Sequence, residues 1–199
     1  MPQQEADRPR TGTLPLRPLT GEPLCLDLLN TRWHDRHGHH DLLTDREGLA
    51  VWLAGSRAAA ALRDGDLRAD HATLGVARQT RAVLAEVVGG RPGAAGLAAF
   101  NRISGSGRIR RLLTPDGPAE RVDVERPEHR LGWLAATDYL RLLDEAPERI
   151  RTCATPGCGL FFHDVSRNGT RKWCSRSGCG NRARAARYHA SRAARLTGA

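Results

Sequence analysis

Four of the chain's five cysteines fall within 27 residues, as Cys153-x4-Cys158, a fifteen-residue interval, and Cys174-x4-Cys179. Two short pairs at this distance suit two knuckles that turn their thiolates toward one ion and complete a tetrahedron at about 2.3 Å. Zn2+ is the expected cofactor. Disulfides are the weaker reading, because the polar start MPQQEADRPRTG lacks an apolar signal core and predicts a cytoplasmic protein. Nothing in the spacing favours an iron–sulfur cluster. Four thiolates fill the shell, which leaves no position for a hydrolytic water or for His163. Gly157 and Gly159 bracket Cys158, and Gly178 and Gly180 bracket Cys179, so tight backbone turns are expected at both pairs. Between them, Leu160-Phe161-Phe162 reads as a strand, Asn168-Gly169 as a hairpin turn and Arg171-Lys172-Trp173 as the returning strand. So small a unit needs the metal, with Phe161, Phe162 and Trp173, to make up its core.

Charge divides the chain at the same place. Residues 149–199 carry 11 Lys/Arg against one acid, Asp164, whereas residues 1–148 are nearly neutral. A neutral body with a basic end is the pattern of a polyanion-binding module. Its carrier is the segment GCGNRARAARYHASRAARL, a predicted helix capped by Ser175 or Ser177. With Arg182 set at 0°, Arg187, Arg184, Arg195 and Arg192 fall on an arc from about 140° to 280°, opposite an alanine face suited to close packing. Arg182 lies off that arc and is expected to point back at the metal module, to a knuckle carbonyl or to Asp164.

The 199 residues allow a real core, and no apolar run reaches the roughly 18 residues of a membrane span. The reading is α+β: a mainly helical N-terminal domain with a small antiparallel hairpin, then the four-cysteine domain ending in its basic helix. Boundaries are expected at a disordered arm 1–20, a body 21–147 and a metal domain 148–199. Residues 24–31 fit either a buried strand or a helix. Trp33 to Asp41 reads as a His-rich loop. Thr44-Asp45-Arg46-Glu47 fits a capping box starting a helix to about Leu62, followed by an Asp64-Gly65-Asp66 turn. Further helices are expected over 67–88, 94–103 and 131–143, the last burying Trp133, Leu134, Tyr139, Leu140 and Leu143. A hairpin should pair 108–113 with 120–124 around Pro115-Asp116-Gly117-Pro118.

Cys179-Gly180-Asn181-Arg182, preceded by Trp173-Cys174 and by the first cysteine pair, resembles the signature of the CGNR zinc-finger family. Leu26-Asp27-Leu28-Leu29-Asn30-Thr31 resembles the start of the ABATE domain that is joined to it. The resemblance covers about residues 20–196. It implies a stress-related transcription regulator that binds DNA through its zinc module, with Arg182 and Asn181 as structural neighbours of the metal.

The expected nucleic-acid contacts are Arg184, Arg187, Arg192, Arg195, Lys172 and Arg171, because arginine pairs bidentately with phosphate or guanine. DNA is the expected partner. The alternative is a zinc-stapled protein-interaction or RNA-binding module. The body is expected to hold a small-molecule effector site or a dimerisation surface, with Asp27, Asn30 and Thr31 as candidate pocket residues and capping or turn hydrogen bonds as their plainer role. No enzyme is expected: there is no phosphate loop, Ser-His-Asp order or H-E-x-x-H pattern. His34, His37, His39 and His40 with Asp35 and Asp41 read as solvent-exposed, and Cys25, between leucines, as a core thiol.

Overall fold

A computed structural model of the chain describes residues 16–35, 38–55, 67–90 and 92–196. The Asp64-Gly65-Asp66 turn, the helix end near Leu62, His37 and most of the expected arm lie outside these residues.

The ambiguous apolar stretch is a helix, α1 (Leu24–Leu29), with all six residues buried. Its sequence neighbours explain why. Asp27 accepts Trp52 Nε1–H at 2.9 Å and a two-point contact from Arg17 at 3.2 Å. Thr31 donates to the Leu28 carbonyl at 2.6 Å and accepts from Arg81 at 2.8 Å. These buried polar groups are satisfied within the protein, which fits the plainer role of Asp27 and Thr31 as internal hydrogen-bonding groups. Arg17 belongs to the expected arm, yet its side chain is docked on this helix.

The His-rich loop is a β-hairpin. Strand β1 (Arg32–Asp35) pairs antiparallel with β2 (Gly38–Asp41). The physical reason is alternation: Trp33 and the opposing His40 face inward and stack at 5.0 Å, while His34 and His39 face out. A 3-10 turn (Leu42–Thr44) leads to α2 (Arg46–Gly55). The capping box is displaced by one residue, since Asp45 accepts from Gly48 N–H at 2.8 Å. Gly48 is required there, because a Cβ would strike the Leu42 carbonyl.

Helices α3 (His71–Gly89), α4 (Ala94–Ser104) and α5 (His129–Glu145) pack on one another, and α1 lies against α3 and α5. Asp70 caps α3 by accepting from Thr73 N–H at 2.8 Å. Leu26, Leu28, Leu43, Leu49, Trp52, Leu84, Leu131 and Leu142 fill the core. On α5, Trp133 and Tyr139 are buried and Leu134 is partly buried as expected, but Leu142 is buried in place of Leu140 and Leu143, which are exposed. Strands β3 (Gly107–Thr114) and β4 (Gly117–Val124) form the expected hairpin as an exposed ribbon.

In the cysteine region, β5 (Ile150–Thr152) pairs antiparallel with β6 (Phe161–His163). The returning strand expected at 171–173 does not form. Lys172 instead offers its carbonyl to Ala154 N–H at 2.8 Å, because β5 already occupies the edge of β6. One π-helical turn (Arg176–Gly180) precedes α6 (Asn181–Leu196). None of the described helices is long and apolar enough to cross a membrane.

Candidate metal centre and basic cleft

The first knuckle follows from backbone freedom. Gly157 and Gly159 take φ of +74° and +65° on either side of Cys158, a region that penalises any Cβ. Cys158 N–H reaches the Thr155 carbonyl at 3.1 Å, and Cys153 N–H reaches the Leu160 carbonyl at 2.8 Å. The second knuckle uses its glycines for closeness. Ser175 Oγ accepts from Gly178 N–H at 3.0 Å, and the Ser175 carbonyl accepts from Gly180 N–H at 2.9 Å. A Cβ on Gly178 would lie 2.6 Å from Ser175 Oγ.

Together the knuckles bring the Sγ atoms of Cys153, Cys158, Cys174 and Cys179 within 4.8 Å of one another, all buried. The separations are 3.7 Å for Cys158–Cys174, 3.6 Å for Cys158–Cys179 and 3.5 Å for Cys174–Cys179. A disulfide needs about 2.05 Å. A zinc tetrahedron with 2.3 Å bonds has edges of about 3.8 Å, so the donor set fits Zn2+. The electrostatics fit as well. The hydrogen bond from Cys174 lowers the Cys158 thiol to about 5, while the same contact and burial push Cys174 up. Burial raises Cys179 too. Thiols packed this closely cannot all ionise without a cation among them.

Arg182 supplies part of that charge. Its Nη2 donates to Cys179 Sγ at 2.9 Å, and this bond raises the guanidinium above its usual range. The partner is the ligand sulfur itself, not a carbonyl or Asp164. Cys153 Sγ accepts Cys174 N–H at 3.4 Å. Asp164, fully buried, organises the loop by accepting from Ser166 N–H, Ser166 Oγ–H and Arg171 N–H.

Arg171 has a structural part that the sequence did not indicate. Its guanidinium donates to the carbonyls of Trp173, His163 and Cys174, pairs with Glu22 at 3.5 Å and stacks over Phe162 at 4.3 Å. The side chain also borders the basic cleft beside the second knuckle.

Four of the six expected contacts, Arg171, Lys172, Arg184 and Arg187, line one cleft. A cavity of about 750 Å³ lies where the second knuckle meets α6, bordered by these residues with Trp173 and Arg176. Arg184 donates to Asn181 Oδ1 at 2.7 Å and to the Arg176 carbonyl at 3.3 Å, so Asn181 acts at the helix start as a positioner of Arg184. Arg187 leans over the Trp173 ring at 5.8 Å. Arg192 is exposed further along α6, and the side chain of Arg195 lies outside the described residues. Of the alanine face expected to pack closely, Ala183 is half-buried, Ala186 and Ala190 are exposed, and the side chains of Ala193 and Ala194 lie outside the described residues.

A seam with α1 was not foreseen. Asn30 donates from Nδ2 to the Phe161 carbonyl at 2.8 Å and accepts Phe161 N–H on Oδ1 at 2.9 Å. One side chain thus takes the place of a neighbouring strand for β6. Glu22 Oε2 accepts His163 N–H at 2.9 Å. The Asn30 signal lay in the LDLLNT motif, but its partner is more than a hundred residues away; Glu22 carried no signal.

This architecture, a helical body joined to a closed four-thiolate module with a projecting basic helix, is that of a zinc-finger protein. The family described as "Putative stress-induced transcription regulator", ABATE, matches residues 22–146, and the CGNR zinc finger matches residues 149–192. The chain belongs to the ABATE family and carries a zinc-binding CGNR finger. No curated protein matches it.

Proposed function

We propose that the chain is a DNA-binding transcription regulator whose zinc module fixes the start of α6 and whose arginines meet the nucleic acid. The observation that carries this is the cleft beside the second knuckle, where Lys172, Arg176, Arg184 and Arg187 surround Trp173. Clustered cations of this kind neutralise phosphates and release counterions. The projecting helix, its described side chains beyond Ala183 exposed, has the free surface that insertion into a DNA groove requires. Arg192 and Arg195 extend the same helix. The division of labour is metal for geometry, arginine for contact, and residues 21–147 for control.

Control needs a path, and the Asn30 and Glu22 contacts to β6 supply one. It also needs a signal. A body cavity of about 180 Å³ is lined by Val76, Thr80, Ile103, His129 and Gly132. Thr80 Oγ is buried there without a hydrogen-bond partner among the described residues. This cavity, not Asp27, Asn30 or Thr31, is the place for a small-molecule effector.

The test is selection of zinc-loaded, full-length protein on a randomised duplex DNA pool, followed by a salt series. An enriched motif that survives moderate salt is expected. Arg184→Ala with Arg187→Ala should flatten the log–log salt slope by about 2 while zinc stays bound, at about 0.9 per phosphate contact. Loss of zinc with the arginine changes would refute the division of labour. Binding without enrichment that collapses as salt rises would replace sequence reading by a protein-interaction role.

A further inference from the structure

The hairpin β1–β2 carries a feature that the DNA-binding reading does not use. His34 and His39 stand directly opposite each other in the register, on the outward face, both exposed. Their Nδ1 atoms are 3.1 Å apart and their rings meet edge to face at 4.0 Å. Imidazole nitrogens bind zinc at 2.0–2.1 Å, so a 3.1 Å separation subtends about 98° at a shared ion. That angle lies between the square-planar and tetrahedral values. The backbone ladder of the hairpin holds the pair together before any ion arrives.

Arg32, on the same face, and Arg81, from behind, share the Asp41 carboxylate at 2.8 and 2.7 Å, so the site relies on its two imidazoles and not on a favourable field. Asp35 is engaged by His40 at 2.9 Å, which leaves His40 out of the pair. Arg32, His34 and His39 border a cavity of about 700 Å³ whose far wall is Gly157-Cys158-Gly159, the first zinc knuckle.

We infer that His34 and His39 form a second, exchangeable site for a borderline transition-metal dication such as Zn2+, across a shared cavity from the first knuckle of the four-cysteine centre. In the neutral pair one Nδ1–H bonds the other nitrogen. The donor ring shifts that proton to Nε2, and both Nδ1 lone pairs then turn to the ion, with no net proton release. Water completes the shell. Imidazole and water select Zn2+, Ni2+ and Cu2+ over Mg2+ and Ca2+.

Untagged full-length protein holding one zinc is titrated with Zn2+ by calorimetry and with Co2+ by absorption. A second equivalent is expected, showing weak ligand-field bands without thiolate charge transfer. His34→Asn and His39→Asn should each weaken it at least tenfold. His71→Asn, on α3, should leave it unchanged, and Mg2+ should not compete. The inference is overturned if only one equivalent binds, if the second survives both hairpin substitutions, if it carries thiolate charge-transfer bands, or if His71→Asn weakens it equally.

Discussion

Residues 22–146 and residues 149–192 differ in what holds them together. The first region buries Trp52, Leu26, Leu28, Leu49, Leu84, Leu131 and Leu142 in a contiguous core. The second contributes only Leu160, Phe162 and the four cysteines to the same cluster, with Phe161 and Trp173 partly covered. Two such side chains, even continuous with the body's core, do not offset the ordering of more than forty residues. The metal supplies most of the rest, and shape there follows ligand geometry. The same difference separates their helices. Helix α5 is held along one face by α1, α3 and α4, whereas α6 is anchored mainly where it leaves the second knuckle, and its described side chains beyond Ala183 are exposed. An isolated helix of about 16 residues is marginal in water, so the anchor decides whether α6 forms.

The largest effect should therefore come from the metal. Structural zinc supplies on the order of 10 kcal/mol of folding free energy in small zinc modules. Chelation, or Cys153→Ser or Cys174→Ser, should unfold residues 149–196 and leave the body's own melting transition in place. The readouts are Trp173 near-ultraviolet dichroism and a calorimetric scan. Retention of α6 helicity and of the Trp173 signal after metal removal would mean that the module has a core of its own.

A smaller change tests the seam between the regions. Asn30→Ala removes two bonds to Phe161 and leaves a buried amide and carbonyl unpaired, a cost of about 2–4 kcal/mol. Thermal stability should fall, and the Phe161 amide should lose hydrogen-exchange protection while zinc content is unchanged. Unaltered protection at Phe161 would show that the regions are independent and that α1 communicates nothing to the module.

Sequence reading succeeded where a local rule decides the structure. Cysteine spacing is a local rule, and so are the helix periods of α3 to α5 and the Pro/Gly turn between β3 and β4. It failed where a distant partner decides. Cys158 announces a ligand, but nothing near Asn30 announces Phe161, and nothing near Arg171 announces that three carbonyls and Glu22 will consume its donors. Arginine 171 and arginine 184 look alike in a composition count; only the fold separates a structural guanidinium from an exposed one. The histidine hairpin failed for a related reason. Its alternation of Trp33 inward and His34 outward is a strand signal, but four histidines mask it as a polar loop. The leucines of α5 show the limit of periodicity, since Leu140 and Leu142 lie on opposite sides of the helix, either side could be the apolar one, and packing buries Leu142 while leaving Leu140 and Leu143 exposed.

Acid should act on both regions, through different groups, and a single substitution separates them. In the module, protonation of thiolates releases zinc. In the body one sensitive group, beside the exposed α3 cap Asp70, is Asp41, which receives Arg81 at two points, both 2.7 Å, and Arg32 at 2.8 Å. Burial alone would raise its carboxyl, but the hydrogen bonds from Arg81 and Arg32 outweigh it and hold the group below the usual carboxylate range. A carboxyl lowered in the folded state contributes stability that is complete above its unfolded value, near 3.9, and is lost as pH falls through the folded one. Protonation also strands Arg81, whose side chain is only 4% exposed. Asp41→Asn should therefore lower the body's melting temperature at neutral pH and flatten its decline below pH 4. Made in the Cys153→Ser chain, where zinc release no longer contributes, the comparison isolates the body. An acid slope identical with and without Asp41 would place the body's acid sensitivity in another carboxylate, and the Asp41–Arg81 pair would then be a packing element without a role in pH dependence.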